Sequence, residues 1–277
     1  MFVGGFVAVV TAAALGPVAP AAADPVGLEK VGFTTGATSA DKSVSVSCPA
    51  GKVVTGGGGY LTASPAALGQ VALDRLEPLA GGSGFFATMR EAGDDNFLGT
   101  WKLTGQAVCA PAPAGWQIVS VTGAAETEYV TASCGTKRVI GTGARVNGGA
   151  GNVVLDQVQP SADLRTVRAR GVPIPGADVP AGWSVTTFAV CATQPAGLER
   201  ISFPAGPDEE GEAALMQSCP AGKALYGTGA DINAGNGQVL LSGVNVSTLE
   251  DTSAWANEDG AGPPNSWTLT GYGICAS

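Results

Sequence analysis

The chain has 277 residues, with 14 Lys and Arg against 23 Asp and Glu, no His, and a formal charge of −9. That balance argues against a surface that tracks nucleic-acid phosphates, and the missing imidazole removes the commonest general base, the commonest zinc ligand and the Ser-His and Cys-His nucleophile designs. Apolar residues make up 45% and charged ones 13%, with 42 Gly and 18 Pro, which suits short strands and many turns rather than disorder or long helices.

In chain order, residues 2–23 come first: uncharged, apolar through Leu15, crossed by Pro17 and Pro20 and ending in Ala21-Ala22-Ala23 before Asp24. This reads as a signal peptide over 1–23 with a mature start near Asp24, hence a secreted protein with no later membrane span. An oxidising compartment makes the six cysteines, Cys48, Cys109, Cys134, Cys191, Cys219 and Cys275, disulfide partners rather than metal or redox groups.

From there the chain repeats itself three times, over 24–110, 115–192 and 197–277. Each copy opens with Gly, an apolar residue and a polar one, at Gly27, Gly115 and Gly197. Next come the first-cysteine segments CPAGKVVTGGG from Cys48, CGTKRVIGTGA from Cys134 and CPAGKALYGTGA from Cys219, the middle one a residue shorter than the last. Val- and Leu-rich segments follow: GQVALDRLEP from Gly69, GNVVLDQVQP from Gly151 and GQVLLSGVNV from Gly237. Each copy closes with WKLTGQAVC, WSVTTFAVC or WTLTGYGIC, so Trp101, Trp183 and Trp267 each precede a cysteine by eight positions. A period of two places each Trp on the face of its Cys, which marks both as core.

Every copy offers five or six strand-like stretches and none carries sustained helical spacing, which predicts an all-β fold of three pseudosymmetric antiparallel repeats. These form either one β-prism-like body around a threefold axis or three packed small β-sandwiches; the Pro-containing joints at 110–114 and 192–196 are short, which favours close packing. Equal copies leave two symmetric disulfide schemes. Either each repeat closes itself, Cys48 to Cys109, Cys134 to Cys191 and Cys219 to Cys275, or neighbours are linked in a ring; the within-repeat scheme is preferred. Closing such loops removes unfolded-state entropy worth roughly 4 kcal/mol each.

With its CPAGK and Gly cluster and its Trp-to-Cys ending, the pattern resembles the cysteine-bracketed repeats of uncharacterised secreted proteins from high-GC Gram-positive bacteria, a resemblance that implies no activity. The chain is also similar in architecture to the β-prism of vitelline membrane outer layer proteins, which have three pseudosymmetric β repeats and a C-P-x-G element.

Candidate chemistry is sparse. Asp74 and Asp156 hold equivalent places where the third copy has Ser242, so a glycosidase pair built on the symmetry is incomplete, and the two read as outward residues paired with Arg75 and other surface charges. The Gly-rich stretch at 55–59 lacks phosphate-loop spacing, and the segment from Asp231 to Gly237 departs from a calcium loop; a bulge and a turn explain them better. Lys52, Arg138 and Lys223 read as a solvated strand edge. The acidic run at 208–212 reads as a loop. Trp116 and Trp255 break the repeat, and Trp255, placed by its polar surroundings in a loop over 252–262, is the one binding candidate. These observations predict a non-enzymatic extracellular module, without cofactor or metal, that binds a glycan or a surface protein and not nucleic acid. The alternatives are a structural envelope protein and, less favoured, a polysaccharide-active enzyme with a carboxylate-lined cleft.

Overall fold

A computed structural model describes residues 27–62, 65–94, 97–124, 129–208, 211–260 and 266–277. The segment at 1–23 lies outside these, as do 209–210 of the acidic run and the end of the 252–262 stretch. Among the described residues there is no α-helix. The first copy forms β1 (Glu29–Thr34), β2 (Lys42–Ser47), β3 (Val53–Thr62), β4 (Val71–Pro78), β5 (Gly84–Glu91) and β6 (Lys102–Ala110). The second forms β7 (Gln117–Ala124), β8 (Val130–Ser133), β9 (Arg138–Asn147), β10 (Val153–Pro160), β11 (Thr166–Pro173) and β12 (Ser184–Ala192). The third forms β13 (Glu199–Ala205), β14 (Glu212–Ser218), β15 (Ala224–Asn233), β16 (Val239–Val246), β17 (Asp251–Glu258) and β18 (Thr268–Ala276).

Each copy splits into two three-stranded antiparallel halves that pair with other copies rather than with each other. Three six-stranded sheets result: sheet I in the order β1-β6-β3-β16-β17-β14, sheet II in the order β2-β5-β4-β9-β12-β7, and sheet III in the order β13-β18-β15-β10-β11-β8. At the middle of each, two copies meet through a short ladder: Tyr60 and Gly59 face Gly243 and Val244 in sheet I, Arg145 and Ala144 face Arg75 and Leu76 in sheet II, and Asp231 and Ala230 face Gln157 and Val158 in sheet III. A sheet shared by two repeats cannot be divided into independent sandwiches, so the molecule is one three-sheeted prism.

What allows three sheets to meet on an axis is the absence of a side chain. A Cβ on Gly141 would lie 1.8 Å from the Thr55 carbonyl oxygen, one on Gly56 2.4 Å from that of Tyr226, and one on Gly227 2.6 Å from that of Ile140. The three glycines therefore form a ring of backbone touching backbone. Buried threonines stitch it: Thr55 Oγ1 donates to the Tyr226 carbonyl at 3.1 Å, Thr228 Oγ1 to that of Gly57 at 2.7 Å, and Thr142 Oγ1 to that of Thr228. The Gly-rich stretch at 55–59 is thus the interior of β3 and part of the axis.

Around that ring the inward faces fill with Val, Leu, Ala and the closing-strand tryptophans; Trp101 and Trp267 are fully buried, while Trp183 is half-buried against the second copy's cluster. Their indole N–H groups are satisfied, Trp101 by the Ser39 carbonyl at 3.2 Å and Trp267 by Glu258 Oε1 at 2.7 Å, as buried donors require. The bridges are Cys48–Cys109, Cys134–Cys191 and Cys219–Cys275, with Cα atoms 5.7, 5.6 and 5.8 Å apart. Because the halves of a repeat lie in different sheets, each bridge ties the end of a strand in one sheet to a strand of the next.

A β-bulge falls at the same place in β4, β10 and β16, where the register skips Asp74, Asp156 and Ser242. The extra residue is buried among its outer-face neighbours instead of standing exposed, which corrects the reading of the two aspartates as exposed surface charges. Asp74 is buried beside Arg90, not Arg75, with Nε to Oδ2 at 3.4 Å, while Arg75 turns to Glu77. Asp156, 1% exposed, accepts from Nε and Nη2 of Arg170 on Oδ2, and its Oδ1 has no hydrogen-bond partner among the described residues. The basic series also shifts: Lys137, not Arg138, occupies the place of Lys52 and Lys223. Lys52 and Lys223 pair with Glu29 and Glu199 at 2.6 and 2.5 Å, and Lys137 with Gln117 Oε1 at 2.8 Å.

Candidate functional site

The junction where two copies pair lies at the centre of each sheet's outer surface, and the pseudosymmetry places three sets of side chains on one backbone. In each ladder one pair, Gly59, Ala144 and Ala230 with Val244, Leu76 and Val158, faces the core, so the adjacent pair, Tyr60, Arg145 and Asp231 with Gly243, Arg75 and Gln157, faces out. The next strand adds Trp255, Thr88 and Arg170, paired with Gly243, Arg75 and Gln157 respectively.

Sheet II fills its junction with compensated charge. Glu77 Oε2 accepts from Arg75 at 2.5 Å and from Arg145 at 3.0 Å, and the two guanidiniums stack on Phe86 and Phe188 at 4.5 and 5.7 Å from the ring centroids. On sheet III, Asp231 is buried, and its carboxyl is held above the ordinary value by burial, against hydrogen bonding from Gln157 and the charges of Arg170 and Arg168.

Sheet I differs in kind. Glycine at position 243 leaves a gap that two aromatic rings fill: a Cβ there would stand 2.4 Å from Trp255 Cε3 and 2.9 Å from Tyr60 Cβ. The rings of Tyr60 and Trp255 lie 5.6 Å apart at 42°. With Leu61, Leu68, Glu212 and Ser242, Trp255 lines a cleft of about 150 Å³. Ser242, the bulge residue, is anchored by its hydroxyl on Asn257 Oδ1 at 2.6 Å, and Glu212 sits opposite Asn257 on the neighbouring strand.

Trp255 is therefore not in a loop. It stands in β17, half-buried, with Thr252, Ala254 and Ala256 facing the core and Ser253 and Trp255 facing out. The alternation was invisible in the sequence because Thr, Ala and Ser differ little in hydropathy. Tyr60, Leu61 and Glu212 were missed. The signal that could have found the cleft is one dipeptide: Asp74-Arg75 and Asp156-Gln157 in two copies, Ser242-Gly243 in the third.

Other sequence candidates are not brought together. Asp74 and Asp156 lie in different sheets, and Asp231 belongs to β15, with the turn that follows bending through Ala234 and Asn236 at φ 61° and 48°. Trp116 packs over Gly82 and donates its indole N–H to the Val54 carbonyl at 2.9 Å. No group of three metal-ligating side chains occurs among the described residues. A larger cleft of about 270 Å³ gathers turns of all three copies, Gly69, Gln70, Asp94, Ile174, Gly176 and Asp259 among them, but it carries no aromatic side chain, and Asp94 spends its carboxylate on Asn152 Nδ2 at 2.8 Å and the Asp178 N–H at 2.9 Å.

Rings set beside a carboxylate and hydroxyl on a rigid sheet can stack on the C–H face of a sugar and accept its hydroxyl hydrogens. At about 150 Å³ the cleft is smaller than the roughly 300–1,000 Å³ of drug-sized sites, which suits one ring rather than an extended chain. Comparison with protein-family models and with curated proteins returns no match.

Proposed function

We propose that this chain is a secreted, non-enzymatic binding module that holds a glycan of a cell wall or of its surroundings in the cleft of sheet I lined by Trp255, whose ring packs on Tyr60. The observation that carries the reading is Gly243: one of three equivalent junctions has lost its side chain, and the room so made is taken by two aromatic rings. Folding alone does not ask for this, since Arg75 and Gln157 occupy the same place in the other sheets. Three disulfides support an oxidising, extracellular compartment.

The test uses the mature chain on an array of glycans and purified cell-wall polymers, beside Trp255→Ala and Gly243→Gln. The second variant installs the residue that sheet III tolerates, so it displaces the Trp255 ring while leaving the fold intact. Saturable binding that weakens at least about tenfold in both variants, about 1.4 kcal/mol, supports the module. Binding that survives both variants, or no saturable binding to any glycan, overturns it and moves weight to a structural envelope role.

A further inference from the structure

On sheet III, Gln159 occupies the place that Glu77 holds on sheet II: each lies two residues beyond the junction residue, Gln157 or Arg75. In sheet II the carboxylate at this place forms salt bridges with two arginines. In sheet III an amide stands there instead, and Arg168 feels the charge of buried Asp231 without forming a salt bridge to it. Arg168 Nε donates to Gln159 Oε1 at 2.5 Å and its guanidinium lies 4.5 Å from the Tyr129 ring centroid. Arg200 Nη1 donates to the Pro160 carbonyl at 2.9 Å and lies 5.0 Å from the ring centroid of Tyr272, whose hydroxyl is bonded in turn to Gln159 Nε2. Neither arginine has a salt bridge among the described residues.

Both guanidiniums border one concavity of about 340 Å³, completed by Gln159, Ser161, Ala162 and Thr166. Among the described residues no carboxylate lines it. The acids nearby are engaged elsewhere: Asp156 holds Arg170, Asp163 accepts from Ser161 Oγ at 2.6 Å and from the Arg165 N–H at 3.2 Å, and Asp231 is buried behind Gln159, whose Nε2 lies 3.4 Å from its Oδ2. The two guanidiniums, held by stacking, by the Gln159 amide and by the Pro160 carbonyl, line the same concavity with N–H donors left over from these bonds. That is the arrangement in which arginine recognises an oxyanion.

We propose that Arg168 and Arg200 form an oxyanion pocket on sheet III, separate from the aromatic cleft, which takes the carboxylate or sulfate group of an acidic sugar in the place of the missing glutamate.

Backbone amide shifts of the Trp255→Ala protein, in which the aromatic cleft is disabled, would be followed at low ionic strength while glucuronate, sulfate or glucose is added. Saturable shifts at residues 159–168 and 200 with glucuronate or sulfate, and none with glucose, are expected, the tighter of the two anions identifying the group. Arg200→Gln should weaken binding about tenfold or more. Gln159→Glu, which restores the internal anion found in sheet II, should abolish binding while both arginines remain. An equal response to glucose, no saturable response to either anion, or undiminished binding in Gln159→Glu overturns the proposal.

Discussion

Asp156 sets two large effects against each other, and a single substitution decides between them. The residue is 1% exposed; Arg170 donates twice to Oδ2, once at 2.8 Å, yet Oδ1 has no partner among the described residues. Burial pushes the group up from 3.8 to about 6, against the pull of the Arg170 charge and its hydrogen bonds. A raised carboxyl means that, between pH 4 and 6, the native state holds a proton the unfolded chain has released. Stability contributed by this group is thus fully present below pH 4 and falls as pH rises, by about 1.4 kcal/mol per pH unit, to a total of about 3 kcal/mol above pH 6. In Asp156→Asn this dependence disappears. Urea unfolding followed by tryptophan fluorescence, with disulfides intact, would be run on both proteins at pH 4, 5, 6 and 7.5. The stability of the parent minus that of Asp156→Asn should drop by about 2.4 kcal/mol across the series; taking the difference cancels the titrating groups that are not coupled to Asp156, Asp231 being the coupled one. A difference that stays flat or grows with pH would refute the reasoning, because it would mean that Arg170 outweighs the loss of hydration.

Two further predictions concern the frame. Gly141→Ala places a Cβ 1.8 Å from the Thr55 carbonyl oxygen on the axis and should cost more than about 4 kcal/mol, whereas Gly36→Ala, with nothing within 4 Å, should be neutral; thermal scans of both variants check this, and a Gly141→Ala midpoint within a few degrees of the parent would contradict the axial ring. Replacing Cys134 and Cys191 by Ser frees two sheets whose bridged residues are 57 apart in sequence, an expected loss of about 4 kcal/mol, read as a fall in the urea midpoint with a steeper slope as the unfolded chain expands.

Much of the frame was legible in the chain. Three equal spacings from Trp to Cys marked the closing strands, and the period of two put Trp101 and Cys109 on one inward face, where both are fully buried. Misreadings trace to small departures from that period. A bulge at Asp74 and Asp156 breaks the alternation and buries a side chain expected at the surface, and a bulge has no hydropathy signature. The middle copy's missing residue moved the equivalence from Arg138 to Lys137. Trp255 was noticed for breaking the repeat, but its partner Tyr60 lies far off in another copy, and only the Ser242-Gly243 dipeptide hinted that the two would meet.

The sequence by itself determined an all-β, three-fold repeated chain with six cysteines, because strand alternation, turn residues and internal self-similarity are local properties that survive without a partner. Only the tertiary structure decided which strands pair. Equivalent strands of three copies carry nearly the same pattern, so local signals do not distinguish a partner in one copy from its equivalent in another; closure around Gly56, Gly141 and Gly227 does, since the three backbones meet there only when each sheet is shared by two copies. That exchange brings Tyr60 to Trp255 and Arg168 to Arg200, and so the candidate sites belong to the assembly of repeats and not to any one of them.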